Sequence, residues 1–189
     1  MEKYLAYLSY LNNKLEKDFA SQKPYIFCKK GCAKCCKNCR YFFSKIEFEF
    51  LKYGFEILDS TTKSQIELNI ENLKKEYKNN SESYACPFLI NDECSVYEYR
   101  GIVCRSFGLA QLGPNSELKV PFCAYNGLNY SYVIDLETGK VSAEKFKKLN
   151  TDLEPLAFNI AYLNLVDEDI AKAFGFEFGE IKSLVEWLL

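Results

Sequence analysis

Between Cys28 and Arg40 the chain reads CKKGCAKCCKNCR, five cysteines in thirteen residues with two of them adjacent. No other stretch restricts the fold so strongly. A cysteine outside a disulfide usually behaves as a small core residue, but here its neighbours are mostly lysine, glycine and asparagine, which do not form a core. The pattern points instead to thiolates gripping a metal. Cys32 and Cys35 have the two-residue gap that lets both sulfurs of a tight turn reach one ion. Gly31, just ahead, can take the backbone conformation such a turn needs. Adjacent Cys35 and Cys36 point apart unless the backbone bends sharply, so they serve either two centres or two corners of one cluster.

Four more cysteines follow, Cys86, Cys94, Cys104 and Cys123, widely spaced in a segment of irregular pattern, 84–127. Wide spacing is the mark of a site assembled by the fold rather than of a self-contained finger. Four thiolates per centre would give two centres from eight cysteines. Alternatively, four hold one iron–sulfur cluster and the rest are structural. Nine is an odd number and fits poorly with full disulfide pairing. The start, MEKYLAYLSYLNNKLEKDF, lacks the apolar run of a signal peptide, and no window reaches the roughly 18 apolar residues of a membrane span. The expectation is a cytoplasmic protein with no membrane partner, in a compartment where dense thiols mean metal or redox chemistry.

The chain contains no histidine. That removes the usual general base, the Ser-His and Cys-His catalytic pairs and mixed Cys/His zinc sites. Any metal here is expected to be held by sulfur, with or without carboxylates, as Zn2+ or as an iron–sulfur cluster of the 4Fe–4S kind. From Phe19 to Ile46 there is no acid, yet Lys23, Lys29, Lys30, Lys34, Lys37, Arg40 and Lys45 are present. Cations lower thiol pKa and offset the negative charge of a thiolate-bound centre; a plain solvated loop face explains the lysines about equally well. Arg100 and Arg105, flanking Cys104, are candidates to contact the cofactor in the same way. The net charge of −2 argues against a generic polyanion binder, so a nucleic-acid partner is not expected. Neither G-x-G-x-x-G nor a P-loop is present.

The remaining pattern is mainly helical. Tyr4, Leu5, Leu8, Leu11, Leu15 and Phe19 predict an amphipathic helix over about 3–20. Ser44 with Glu47 has the spacing of a capping box and opens a helix to about Leu58. Thr62 with Gln65 repeats that signal, ahead of a helix with Ile66, Ile70, Leu73 and Tyr77 on one face. KNNSES reads as a turn, and YSYVIDLETGKV as a short hairpin with Thr138-Gly139 at its tip. Ser142 caps a short helix; DLEPLAFNIAYLNL, DEDIAKAF and GEIKSLVEWLL read as further helices. Tyr97 and Tyr99 are expected to pack a loop rather than bind a ligand. No internal repeat is apparent. The expected fold is mainly α with a small β-hairpin, a single domain over 1–189. Its cysteine-cluster core spans 25–125, flanked by helices 3–20 and 142–189.

Cys28-x3-Cys32-x2-Cys35-Cys36 resembles the opening signature of the YkgJ-like cysteine-cluster proteins, CxxCxxCC, a zinc- or iron-chelating domain. CPFLINDECSVYEYRGIVCRSFG resembles that family's second block on Cys86, Pro87, Cys94, Tyr97, Arg100, Cys104 and Arg105, and Cys123 its last cysteine. The resemblance covers about residues 25–125. It implies eight metal ligands: Cys28, Cys32, Cys35, Cys36, Cys86, Cys94, Cys104 and Cys123. Cys39 lies outside the pattern and reads as a spare, with Cys36-x2-Cys39 as a rival chelating pair. Gly101 stands where the family usually has proline, and the expectation is a looser turn before Cys104. The resemblance implies a metal-binding protein with a structural, sensing or redox role. The alternative is an iron–sulfur-dependent enzyme, since a related motif occurs in bacterial flagellin lysine N-methylases.

Overall fold

The computed structural model describes residues 1–29, 31–77, 83–112, 118–148 and 165–188. Mainly helical elements are joined by three short antiparallel strand pairs. The chain divides into two compact units. The first comprises Met1–Leu5, Lys30–Arg105 and Glu168–Leu189, the second Ala6–Lys29 and Ser106–Asp167. Helix α1 (Glu2–Gln22) contributes to both. It buries Tyr4, Tyr7, Leu8, Leu11 and Leu15, positions three or four apart, as an apolar stripe must be. Leu5, expected on that stripe, is exposed; it lies one step round the helix from Tyr4, and Tyr7 fills the stripe instead. Among the described residues no helix is long and apolar enough to cross a membrane.

The first unit is organised by a strand–serine–helix element that occurs twice. Strand β1 (Phe42–Ser44) leads into helix α3 (Lys45–Glu56), and strand β6 (Ile181–Ser183) leads into helix α8 (Leu184–Leu188). The two strands pair antiparallel with Phe43 opposite Lys182. Ser44 and Glu47 form the expected capping box, and the Glu47 carboxylate accepts from the Ser44 N–H at 2.8 Å. Ser183 and Glu186 repeat it, also at 2.8 Å. Two further bonds obey the same two-fold relation: Lys45 N–H donates to Glu180 O and Leu184 N–H to Tyr41 O, both 2.8 Å. Phe48 and Trp187, each four residues past its serine, stack with centroids 5.2 Å apart. So a local repeat exists where none was expected, and GEIKSLVEWLL is a strand and a helix rather than one helix. The reason is Ser183, whose side chain engages the start of α8 and ends the strand. The same strand-to-helix switch explains the mixed periodicity of YFFSKIEFEF.

Helix α4 (Ser60–Glu76) is capped by Asp59, which accepts from Thr62 N–H at 2.9 Å; Thr62 is therefore inside the helix and not its cap. Ile66 and Leu73 are buried and Ile70 and Tyr77 pack beside them, as the periodicity requires. The segment expected to be irregular holds a hairpin, β2 (Leu89–Ile90) and β3 (Glu93–Cys94). Its loop residues Asn91 and Asp92 have φ of 51° and 63°, the left-handed pair that a two-residue hairpin turn demands and that Asn and Asp tolerate best. Tyr99 packs against Phe50 and Tyr53, while Tyr97 stays exposed. Helix α5 (Ile102–Ser106) begins where Ile102 N–H donates to the buried Glu47 carboxylate at 2.8 Å.

In the second unit Gln22, fully buried, clamps Ala110: its Oε1 accepts from Ala110 N–H at 2.8 Å and its Nε2 donates to Ala110 O. Tyr25 and Tyr130 stack at 5.4 Å over Ala110, Ala124, Val133 and Ile134. Strands β4 (Gln111–Leu112) and β5 (Leu118–Lys119) pair. The expected hairpin is present as a tight turn, with Ile134 bridged to Val141 and Gly139 at φ +67°. Ser142 accepts from Lys145 N–H at the start of α6 (Ala143–Lys148), as expected of a cap, and α7 (Glu168–Phe174) matches DEDIAKAF. Most of KNNSES and of DLEPLAFNIAYLNL lies outside the described residues.

Gly101 corrects its own expectation. A Cβ there would lie 2.3 Å from the Phe43 ring and 3.1 Å from Glu47 Oε1, so the position is tight rather than loose. Gly101→Ala is expected to destabilise the protein by about 1–3 kcal/mol through overpacking, read as a lower midpoint in urea unfolding.

Candidate metal centre

The two sulfur groups meet through the backbone of the first unit. Cys39 N–H donates to Tyr84 O at 2.9 Å, Tyr84 N–H returns a bond to Cys39 O at 3.1 Å, and Cys86 N–H donates to Cys36 O at 2.8 Å. This short zipper lays Cys36 and Cys39 beside Cys86. Gly31 has φ +81°, as the turn before Cys32 required, and one turn of helix, α2 (Lys34–Lys37), then presents Cys35 and Cys36. The hairpin brings Cys94 opposite Leu89. Lys37 clamps the hairpin from outside by an ion pair with Asp92 at 2.5 Å. Cys104 sits on α5, anchored through Glu47. Cys86, Cys94 and Cys104 all pack on the apolar core formed by Phe43, Leu51, Ile66, Phe88, Val96 and Leu184.

The thiols sense one another. Cys35 and Cys36 sulfurs are 3.9 Å apart. The hydrogen bond from Cys36 pulls Cys35 down to about 7, whereas Cys36 itself is pushed up by that bond, by burial and by the charges of Cys35, Cys86 and Cys104. Cys104 is raised by burial and by the neighbouring Cys86, Cys94 and Cys35. Cys94 is raised to about 11 by burial, with Cys86 and Cys35 adding to it. Cys86 is raised first by a hydrogen bond with Cys39, then by burial. Five cysteines, Cys35, Cys36, Cys86, Cys94 and Cys104, thus share one field in which each new thiolate opposes the next. Among the described residues, no three cysteine, aspartate or glutamate side chains are drawn into a closed ligand set. A donor set that is soft, partly buried and mutually repulsive is suited to a thiophilic cation, which removes the repulsion.

Arg100 bears on this field, since its charge lowers Cys94 and Cys104 against the larger effect of burial, and Arg105 interacts with Cys104 as well. Its guanidinium lies over the Tyr97 ring at 3.7 Å. Arg105 braces the turn, donating through Nε to Arg100 O at 3.0 Å and through a second nitrogen to Glu98 O. The described basic residues of the run, Lys23, Lys29, Lys34, Lys37, Arg40 and Lys45, are exposed.

Cys32 is half-buried in the first unit. Cys28 and Cys123 belong to the second, where Cys28 is exposed and Cys123 buried in the turn Phe122–Asn126. None of the nine cysteines, all of them described, is in a disulfide. Sequence reading missed two tyrosines here and left the place of Cys39 open. Tyr41 donates to Cys35 O at 3.0 Å, and its phenol is kept protonated by burial and by the surrounding thiols. Tyr84 is raised by burial and by Cys39 and Cys86. Cys39 is fully buried in the core. Only the nearness of Tyr41 and Tyr84 to the cysteines hinted at a role.

The sequence pattern of the CxxCxxCC family, described as a putative zinc- or iron-chelating domain, matches residues 27–124, just over half of the chain. The chain belongs to the CxxCxxCC family. No curated protein and no solved structure matches it. The CxxCxxCC match spans all nine cysteines, and its chelating description agrees with the soft donor set.

The raised thiols carry a pH signature. Unfolded cysteine ionises at about 8.5; in the folded, metal-free protein Cys36, Cys86, Cys94 and Cys104 lie above it and Cys35 below. The folded state therefore keeps protons that the unfolded chain releases. Their contribution is present below about pH 8.5 and is lost as pH rises through the folded values. Chelator-treated, reduced protein should show a lower urea midpoint at pH 10 than at pH 7.5.

Proposed function

We propose that this CxxCxxCC protein holds zinc or a 4Fe–4S cluster through cysteine thiolates in a structural, sensing or redox role. The proposed ligands are Cys32, Cys35, Cys36, Cys86, Cys94 and Cys104 in the first unit, with Cys28 and Cys123 in the second carried by the family pattern. The observation behind this reading is that five cysteines lie near enough for each thiolate to oppose the next, three of them, Cys86, Cys94 and Cys104, packed on one apolar core. A metal supplies the positive charge that turns this repulsion into attraction, and in small thiolate domains such binding contributes on the order of 10 kcal/mol to folding. Arg100 offsets residual negative charge beside Cys94 and Cys104. Cys39 stays outside the ligand set, its thiol hydrogen-bonded with that of Cys86. The thiol-rich composition suits the reducing cytoplasm.

Elemental analysis with an absorption spectrum of anaerobically purified protein separates the metals. Broad brown absorption with iron and sulfide marks the cluster, while colourless protein with stoichiometric zinc marks tetrathiolate sites. Metal-free protein of native stability would refute the proposal.

Single variants test the ligand set. Cys35→Ala and Cys104→Ala are expected to lose metal, whereas Cys39→Ala keeps it and costs about 1 kcal/mol of stability. Equal metal loss in all three, measured by elemental analysis after chelator challenge, would show that the assignment is wrong.

A further inference from the structure

Asn129 is fully buried, yet its carboxamide has no role in the fold's regular elements. Its orientation is fixed by chemistry. Phe27 N–H can only donate, and it points at Asn129 Oδ1 from 2.7 Å, so the opposite atom must be the amide nitrogen. That Nδ2 has two protons and two acceptors: Gly108 O at 3.0 Å and the sulfur of Cys28 at 3.1 Å. The space around them is reserved. Gly108 has φ +106°, and a Cβ there would stand 2.8 Å from Asn129 Nδ2 and 3.5 Å from Cys28 Sγ. A buried amide is thus locked on three sides, with one N–H aimed at an exposed cysteine.

We infer that Asn129 is a positioning residue for Cys28 as a metal ligand, holding its sulfur in place through an Nδ2–H···S hydrogen bond. This rests on the reading of Cys28 as a ligand. Partners behind a metal ligand fix its direction and tune the bound metal, and in iron–sulfur centres hydrogen bonds to sulfur help set the potential. Gly108 closes the CPFLINDECSVYEYRGIVCRSFG block four residues past Cys104, whereas Asn129 falls beyond the family match.

Cadmium-113 loaded into the wild-type protein provides the test, because a metal–sulfur–hydrogen path transmits scalar coupling. Coupling of cadmium to both the Cys28 β-protons and one Asn129 δ2 proton is expected. Coupling at Cys28 without any at Asn129 overturns the inference and leaves the metal reading intact. Cadmium coupled to other cysteines but not to Cys28 overturns the inference together with the assignment of Cys28. Cadmium that couples to no cysteine sinks the metal reading itself. Asn129→Asp, which keeps the acceptor for Phe27 and removes the donor, should weaken cadmium affinity about 10- to 100-fold; unchanged affinity also overturns the inference.

Discussion

Backbone pairing between Cys36–Cys39 and Tyr84–Cys86 makes the sulfur-rich region a site. Without it, the thiols of the first cysteine segment would sit in a solvated loop, far in sequence from Cys86, Cys94 and Cys104. The pairing is stabilised from both sides. Apolar residues behind it, Phe43, Leu51, Ile66 and Val96, bury one face, and the Lys37–Asp92 ion pair spans the other. A surface pair of that kind contributes little by itself; its value is in holding the hairpin in register.

The buried Glu47 connects this arrangement to the rest of the first unit. Its carboxylate caps α3 through Ser44 and, with the other oxygen, receives the N–H of Ile102 at the head of the helix carrying Cys104. One charged group therefore fixes two helix starts. Its burial is tolerable because backbone and hydroxyl donors surround it. Gly101 permits the approach, since any side chain there would displace Phe43 or Glu47. The tightness at this position is visible only in three dimensions. The two-fold pairing of β1 with β6 then closes the end of the chain onto the strand that follows the cysteines, and the stacked Phe48 and Trp187 seal that joint.

Electrostatically, the thiol group is unfinished. Hydrogen bonds with neighbouring thiols and burial raise Cys36 and Cys86, and burial raises Cys104, where Arg100 counters only part of the effect. The lysines that looked like counter-charges in the sequence are exposed, and Lys37 is paired with Asp92 instead. Charge compensation comes from Arg100, whose stacking on Tyr97 holds it beside Cys94 and Cys104. Asn129 and Cys39 show a second way of acting on sulfur, by hydrogen bonds to Cys28 and Cys86.

Much was legible from residue order alone. The helical stripe of α1, the Ser44–Glu47 box, the turn glycine Gly31, the 134–141 turn and the CxxCxxCC motifs are local, and local spacing determines them because each involves neighbours within a few residues. The cap of α4 was misplaced by three residues, since Asp59 and Thr62 both carry capping oxygens and only the backbone decides between them. The β1–β6 pairing, the role of Glu47, the tightness at Gly101 and the amide behind Cys28 were hidden. Each depends on residues far apart in the chain whose side chains are individually unremarkable. Sequence determined that no imidazole can be a donor, because the chain offers no histidine. Tertiary structure decided which sulfurs share a field, because charge acts through distance in space and not along the chain.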